Sequence, residues 1–314
     1  MITCRSNSEL RTALEALSSA GSMKESSTKT KVGFIPTMGS LHEGHLSLIS
    51  QAVADSSITV ASIFVNPTQF GPGEDFDAYP RNQRRDLRLL QGTGVDIAFL
   101  PSVQDIYPAA CSTPILAAPS LSSCLCGDTR PGSHFDGVAT VVDRLFRIVA
   151  PSTAWFGEKD WQQLQVIREM ASTLHPALEI KSGLTVREPD GLAMSSRNAY
   201  LTPTQRFQAR AVPVAMQAVR QLTPTLGISA ALEAGRSVLL DAGLACEYLE
   251  VRSAETLTSY PHGASATPQS LDGLRLFVAA RVGDVRLIDN AALTYAHLTE
   301  TAPAAGSSQS ALAA

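Results

Sequence analysis

The sequence of 314 residues lacks the features of a membrane, secreted or nucleic-acid-binding protein. It has no apolar run near the roughly 20 residues of a membrane span, and no charged and apolar blocks typical of a secretory signal. A net charge of −4 leaves no surplus of lysine and arginine to hold nucleic acid by bulk electrostatics. With 44% hydrophobic and 17% charged residues, disordered and fibrous classes are excluded. We expect a cytoplasmic globular protein of one large or two smaller domains.

The cysteines are few, odd in number and scattered, which does not suit a disulfide framework in a chain of this length. They are Cys4, Cys111, Cys124, Cys126 and Cys246. Cys124 and Cys126 form a C-x-C pair, but no second pair at zinc-finger spacing accompanies them. We therefore expect reduced thiols and no metal site built from protein side chains.

Residues 36–45, read PTMGSLHEGH, place two histidines where an apolar run turns into a helix. Residues 32–35 predict a buried strand that Pro36 ends, because proline has no N–H for a sheet ladder. Apolar residues then recur at helical spacing: Leu46, Ile49 and Val53. His42 and His45 would lie on the first helical turn, whose N–H groups and dipole attract phosphate. Such a pair is more often structural when it stands alone, but its position predicts a triphosphate site.

Strand and helix patterns alternate through the first part of the chain, which predicts a parallel sheet with helices on both faces. The strand patterns lie at 2–5, 32–35, 58–65, 95–100, 153–156 and 179–186. In such a sheet, ligands bind beyond the carboxyl ends of the strands, where the unusual polar clusters of this chain fall. We therefore predict an α/β fold with a Rossmann-like, doubly wound parallel sheet over residues 1–185.

A second unit is predicted from Thr202, an N-cap with Pro203 at the first helical position and Gln205 completing a capping box. Its helices are expected at 205–221 and 230–241, and its strands at 247–251, 274–280 and 286–288. Residues 186–298 would form a smaller α+β lid domain. Residues 299–314, rich in Ala, Ser, Gly and Pro, are expected to be a disordered tail.

Two further clusters combine cations with hydroxyl or carboxylate groups. At a strand end, Gly157 allows close approach of a ligand, Lys159 suits a phosphate and Asp160 suits ribose hydroxyls. Residues 194–198, after the turn at 190–191, offer two hydroxyls and a guanidinium that could close over phosphates. Taken separately, a solvated Lys–Asp turn and a helix-capping Ser-Ser pair are the commoner interpretations.

A third cluster carries uncharged amides. Asn66 and Gln69 lie beside Phe70 and Gly71, a combination able to orient a small polar acid without ionic attraction. Gln163, one helical turn after Lys159, could meet them. An exposed glutamine is usually only surface, but these lie at predicted sheet ends.

In this order and separation, the clusters resemble the pantoate–β-alanine ligases, or pantothenate synthetases, of the HIGH-type nucleotidyltransferase superfamily. The match rests on residues 36–45, 64–70, 79–81, 156–163 and 186–198, with 280–283 and 286–290 further on. The resemblance implies a two-step, ATP-dependent ligation. Pantoate would attack the α-phosphate of ATP to give pantoyl adenylate and pyrophosphate, and β-alanine would then displace AMP to give pantothenate, on the route to coenzyme A.

The resemblance also implies roles for individual residues. His45 would be the acid-type group at the α-phosphate, with His42 and Lys159 as catalytic partners. The implied ATP site comprises Met38, His42, His45, Gly157, Lys159, Asp160, Val186, Met194, Ser195, Ser196 and Arg197. Phosphates would meet Lys159 and the Ser-Ser-Arg loop, ribose would meet Gly157 and Asp160, and adenine the backbone of Val186 and Met194. Pantoate and β-alanine would meet Gln69, Gln163 and Asn66, with Met38 beside pantoate.

Mg²⁺ should accompany ATP, held largely by phosphates and water, and the family implies a homodimer with no nucleic-acid or membrane partner. Three departures from the family pattern stand out. Arg85 precedes Asp86 where the family usually has two acidic residues, one near the magnesium, so we expect little protein contribution to the metal. Ser133 is inserted in the motif at 130–135, which alters the expected loop geometry. Loops 21–31 and 262–270 are expected as surface additions.

Two other classes remain open from the residues alone. A related adenylyltransferase would leave AMP on its product, although the paired amides and the Ser195-Ser196-Arg197 loop count against it. A catalytically inactive ATP-binding protein would not need His42, His45 and Lys159 intact. A tRNA synthetase shares the nucleotide chemistry, but the chain is short and acidic, without a basic tRNA-docking region.

Overall fold

A computed structural model of the chain describes residues 1–22, 30–108, 113–130, 133–260 and 271–293. Its first sheet is parallel throughout, with strand order β1-β4-β3-β2-β5-β6. The strands are β1 (Ile2–Cys4), β2 (Val32–Thr37), β3 (Ile58–Ile63), β4 (Ile97–Phe99), β5 (Thr153–Gly157) and β6 (Glu179–Gly183). The chain order reverses between β2 and β5, which creates the crevice where ligands of doubly wound folds bind.

Helices connect these strands and cover both faces of the sheet. The longer ones are α1 (Asn7–Ser22), α2 (Glu43–Asp55), α3 (Gln83–Gln91), α7 (His134–Val149) and α8 (Trp161–Leu174). The shorter ones are α4 (Val103–Ile106), α5 (Pro119–Ser122) and α6 (Cys126–Thr129). Successive strand residues point to opposite faces, so Phe34 packs into the core with α7 and α8 whereas Ile35 packs into the core with α2 and α3. The predicted α/β class is confirmed.

Strand β2 extends further than predicted. Pro36 and Thr37 remain paired with Ser62 and Ile63 of β3, so Pro36 does not end the strand. On the other side, the pairing with β5 involves only Gly33 and Phe34. Proline has no N–H to donate, but it is tolerated at position 36 because the edge of β2 that faces β5 no longer forms ladder hydrogen bonds there.

The second unit is a three-stranded antiparallel sheet covered by helices. Its elements are α9 (Pro203–Ala209), α10 (Ala211–Asp241), β7 (Ala245–Ser253), β8 (Leu274–Val282) and β9 (Val285–Ala292). The capping box at Thr202 and Gln205 is formed as predicted. The predicted helix 205–221 is wrong in its bounds, because the chain turns at Arg210 between α9 and α10. Within α10 the backbone is not helical at Gly227, where φ is 79° and ψ is 165°, so α10 is two helices joined by a kink, and the separate helix predicted at 230–241 is confirmed.

Some predictions fall partly or wholly outside the described residues. These are Cys111, Pro131 and Gly132 of the motif with the inserted serine, most of loop 21–31, loop 262–270 and the tail 299–314. No helix in the described part of the chain is long and apolar enough to cross a membrane. Of the cysteines, Cys4, Cys124, Cys126 and Cys246 are free thiols, as expected.

Candidate active site

A cavity of about 570 Å³ lies where the carboxyl ends of β2 and β5 meet the second sheet. The structure brings every predicted site residue to its wall. They are Met38, His42, His45, Asn66, Gln69, Gly157, Lys159, Asp160, Gln163, Val186, Met194, Ser195, Ser196 and Arg197. Segments that are more than 150 residues apart in the sequence therefore face one space.

The two histidines cap helix α2 and are held by its own backbone. The Gly44 N–H donates to His42 Nδ1 at 3.2 Å, and the His42 N–H donates to His45 Nδ1 at 3.3 Å. Because both Nδ1 atoms accept, each neutral ring carries its hydrogen on Nε2. Burial, reinforced by Lys159, lowers the pKa of His42 to about 4, and burial beside His42 lowers the pKa of His45 to about 3. At neutral pH the pair offers N–H donors without positive charge.

The loop before the histidines is held by a buried carboxylate from α3. Asp86 accepts the backbone N–H groups of Ser40 and Leu41, each at 2.9 Å. Arg85 donates to the Leu41 carbonyl at 2.8 Å. Gly39 and Ser40 have φ values of 79° and 51°, so this tight turn needs such support. Asp86 is 1% exposed, and it stabilises the histidine loop through these two hydrogen bonds.

Charged side chains meet at the cavity in two pairs. Lys159 Nζ lies 3.4 Å from Asp160 Oδ1. Burial raises the pKa of Asp160, but the Lys159 ammonium and its hydrogen bond, together with Arg197 and His45, lower that pKa below its usual value. Arg197 donates to both oxygens of Asp75, at 2.9 and 2.8 Å, which fixes the plane of its guanidinium. Asp75 was not singled out from the sequence, because nothing local links it to a loop 122 residues away.

The Ser-Ser-Arg loop reaches across to the histidine loop. Ser195 caps a short 3₁₀ helix by accepting the Arg197 N–H, and the Ser196 hydroxyl donates to the Ser40 carbonyl at 3.3 Å. Beside this loop, the Met194 N–H donates to the Val186 carbonyl at 3.0 Å. Both residues predicted to meet adenine are thus joined to each other in a narrow turn.

The amide cluster is ordered by an internal network. Asn66 donates to Gln69 Oε1 and to the Gly137 carbonyl, both at 3.1 Å, and its own oxygen accepts from Tyr107 at 2.7 Å. Both amide hydrogens of Asn66 are therefore donated within the protein, so it supports Gln69 rather than reaching for a ligand. Gln69 in turn donates to Met38 Sδ at 3.1 Å. Gln163 joins this wall from the first turn of α8.

A second network holds Gln69 from behind. His134 Nδ1–H donates to the Gln69 carbonyl at 2.7 Å, and His134 Nε2 accepts from Arg130 at 2.9 Å. Arg130 also donates to both oxygens of Glu74, at 2.9 and 2.8 Å. Only the family motif at 130–135 pointed to this region, and it gave no role. Ser133, the inserted residue, precedes α7 without a side-chain capping bond.

The buried His134 gives a pH dependence of stability. Burial, reinforced by Arg130, lowers its pKa to about 4 in the folded protein, against about 6.5 when unfolded. Between these values the unfolded chain binds more protons, so the His134 contribution is complete above pH 6.5 and is lost as the pH falls towards 4. His134→Asn keeps a donor towards the Gln69 carbonyl but does not titrate in this range. We expect its free energy of unfolding to fall less between pH 7 and pH 5 than that of the wild-type protein. Urea unfolding at pH 7 and pH 5 measures this, and equal falls in both proteins would contradict it.

Comparisons with known proteins show which family the chain is similar to. A sequence model of the family described as Pantoate-beta-alanine ligase matches residues 3–292. Pantothenate synthetase from Acidiphilium cryptum is 46% identical over 289 residues, which cover 91% of this chain and 97% of the relative. The counterpart from Acinetobacter baumannii is 46% identical over 260 residues, covering 82% and 89%.

Solved structures give the same result. The crystal structure of pantothenate synthetase from Thermus thermophilus has a TM-score of 0.84 and 42% identity, covering 94% of this chain and 100% of that one. Pantoate-beta-alanine ligase from Francisella tularensis, complexed with beta-gamma ATP and beta-alanine, has a TM-score of 0.73 and 31% identity, covering 93% and 98%.

Proposed function

The chain belongs to the pantoate-beta-alanine ligase family, and we propose that its cavity is where the chain condenses pantoate with β-alanine in an ATP-dependent reaction. One observation supports this proposal above the others: the start of α2 with its two histidines, the Lys159 side chain and the Asn66–Gln69 amide pair all line the same cavity. The first two suit phosphates, and the amide of Gln69, which Asn66 holds in place, suits a polar acid. The alternatives of an adenylyltransferase that retains AMP and of an inactive ATP-binding protein are not favoured by relatives that are pantothenate synthetases.

In the first step, a carboxylate oxygen of pantoate forms a bond to the α-phosphorus of ATP. The bond from that phosphorus to the bridging oxygen breaks, and pyrophosphate leaves with the electron pair. Negative charge collects on the α-phosphate oxygens in the transition state. His42 and His45 would donate Nε2–H bonds to these oxygens, and Lys159 would supply the charge. Neutral histidines suit this position, since two imidazolium ions beside Lys159 would repel one another.

In the second step, the neutral amine of β-alanine attacks the carbonyl carbon of pantoyl adenylate. The bond from that carbon to the phosphate oxygen breaks, AMP leaves, and the amine nitrogen releases a proton as the amide forms. Gln69, held by Asn66 and by the His134–Gln69 hydrogen bond, would keep the acyl group in place for attack. The β-alanine pocket would then open beside Gln69.

Magnesium is proposed as the ion that accompanies ATP. Among the described residues there is no group of three or more His, Cys, Asp or Glu side chains that could hold a metal ion. Asp86 is turned towards backbone N–H groups, and Asp75 is bound by Arg197. This arrangement fits Mg²⁺ held mainly by phosphates and water. When bound, the ion would neutralise charge on the leaving pyrophosphate.

The remaining proposals concern organisation. We propose residues 1–185 as the nucleotide- and pantoate-binding domain and 186–298 as a lid, supported by the separate core of the second sheet. A cytoplasmic homodimer is proposed from the family resemblance. Light scattering that gives the mass of a single chain would contradict the dimer, and cell fractionation would test the location.

The reaction is tested by isotope exchange and product analysis. We expect exchange of labelled pyrophosphate into ATP to require pantoate and Mg²⁺ but not β-alanine. AMP release should accelerate when β-alanine is added, with pantothenate formed in equal amount. Exchange without any AMP release on addition of β-alanine would favour an AMP-retaining enzyme, and ATP binding without exchange would favour an inactive protein.

A further inference from the structure

The turn that carries Lys159 is held from the second sheet. Asn290, on strand β9, is 4% exposed. Its side-chain Nδ2 donates to two consecutive backbone carbonyls, that of Glu158 at 2.9 Å and that of Lys159 at 2.7 Å. One amide group of the second sheet therefore fixes both peptide planes on either side of the Lys159 Cα.

Asn290 is itself fixed by Arg275 of β8. Arg275 donates to Asn290 Oδ1, so that oxygen cannot rotate towards the turn. The Arg275 guanidinium also stacks on the Trp161 ring at 3.4 Å from its centroid and reaches Glu158 at 3.4 Å. The orientation of the Asn290 amide is thus set, with its nitrogen facing the Lys159 turn.

Asp289, the neighbour of Asn290 on β9, makes its contacts on the opposite face of the strand. Asp289 is 3% exposed and accepts from Arg187 at 2.6 and 3.1 Å. Arg187 directly follows Val186, a residue of the proposed adenine site. Since adjacent residues of a strand point to opposite faces, β9 contacts the phosphate-facing turn through Asn290 and the adenine-facing segment through Asp289.

From this geometry we propose that Asn290 is a positioning residue for Lys159, through which the second sheet sets the place of the Lys159 ammonium at the α-phosphate. The proposal rests on the proposed function of Lys159 in adenylate formation. A displacement of about 1 Å of a reacting or charge-stabilising group can cost on the order of 100-fold in rate. Loss of the Asn290 hydrogen bonds should therefore lower the turnover of the first step more than it weakens substrate binding.

A double-mutant cycle on the full chain tests this proposal. Asn290→Asp keeps the side-chain shape and the Arg275 contact but presents an oxygen to two carbonyl oxygens. We expect it to lower kcat of pantoate-dependent pyrophosphate exchange about 10-fold, with KM for pantoate changed by less than about twofold. In a Lys159→Ala background, the same substitution should lower the residual rate by less than about twofold, because there is no ammonium left to position.

Asn290→Ala serves as a second variant if the aspartate variant does not fold, which circular dichroism would reveal. Gln208→Ala is the matched control, since it removes an amide that donates to the Ala242 carbonyl at 3.1 Å, away from the cavity. Equal fold-losses in the wild-type and Lys159→Ala backgrounds would overturn the inference while leaving the proposed function intact. A wild-type rate for Asn290→Asp would do the same. A wild-type rate for Lys159→Ala would overturn both.

Discussion

Substituting His45 or Lys159 with alanine is expected to slow adenylate formation by roughly two to three orders of magnitude. His45 lies at the start of α2 with Nδ1 bound to backbone, so its Nε2–H is the group left for a phosphate oxygen. Lys159 brings an ammonium to the same cavity. Both interactions strengthen as charge develops at the α-phosphorus, so their loss should appear in kcat of pantoate-dependent pyrophosphate exchange.

Conservative and distant variants separate this effect from unfolding. His45→Gln retains a terminal N–H donor and should recover part of the activity lost in His45→Ala. Lys181→Ala is the matched control for Lys159→Ala, because Lys181 pairs with Asp55 at the surface of α2 and β6. Wild-type exchange rates in His45→Ala or Lys159→Ala would refute the roles assigned to them, provided that thermal unfolding shows each variant folded.

The neutral state of the histidines is a consequence of where the fold places them. The capping box formed by His42 and His45 gives each Nδ1 a backbone donor, and burial near Lys159 disfavours a second positive charge. The chain therefore provides hydrogen bonds from the histidines and concentrates the positive charge on Lys159. A histidine that became protonated would compete with Lys159 for the same phosphate oxygens and would cost solvation on burial.

Local patterns in the sequence predicted most of the secondary structure. The capping box at Thr202 and the apolar face of α2 depend on residues within a few positions of one another, so both were readable without the fold. Pro36 was misjudged because its tolerance depends on which edge of β2 is paired, and that is a property of the whole sheet. The break at Arg210 was missed because the apolar pattern of α9 continues into α10.

The residues that hold the site residues in place could not be predicted from local patterns. Tyr107 on Asn66, Asp75 on Arg197 and Asn290 on the Lys159 turn each join segments that are 41 to 132 residues apart. No periodicity or motif spacing encodes such a pair in a single sequence. The predicted site residues stand at strand ends or in loops with recognisable motifs, whereas the residues that orient them are scattered through loops, helices and the second sheet.

The closest backbone approach at the amide cluster occurs at Gly137 in α7. A Cβ atom built there would lie 2.4 Å from the Thr68 carbonyl oxygen, 2.7 Å from its carbon and 2.9 Å from Gln69 Cα. These are backbone atoms of a short 3₁₀ helix (Pro67–Gln69) that presents Gln69, so they cannot move aside as a flexible side chain would. The Gly137 carbonyl also accepts from Asn66. Any added side chain would displace Gln69 and its support together.

Gly137→Ala is accordingly expected to lower pantoate-dependent pyrophosphate exchange by about 100-fold or more, since Gln69 would shift by about 1 Å. Overpacking should also lower the free energy of unfolding by about 1–3 kcal/mol. Gly92→Ala is the matched control, because the Gly92 backbone is helical and a Cβ there meets only the Leu89 carbonyl at 3.4 Å. If Gly137→Ala matched Gly92→Ala in both exchange rate and urea unfolding, the tight contact between α7 and the Gln69 turn would not govern pantoate activation. If Gly137→Ala instead loses activity with a raised KM for pantoate and an unchanged KM for ATP, the loss arises at Gln69, which is the result we expect from this contact.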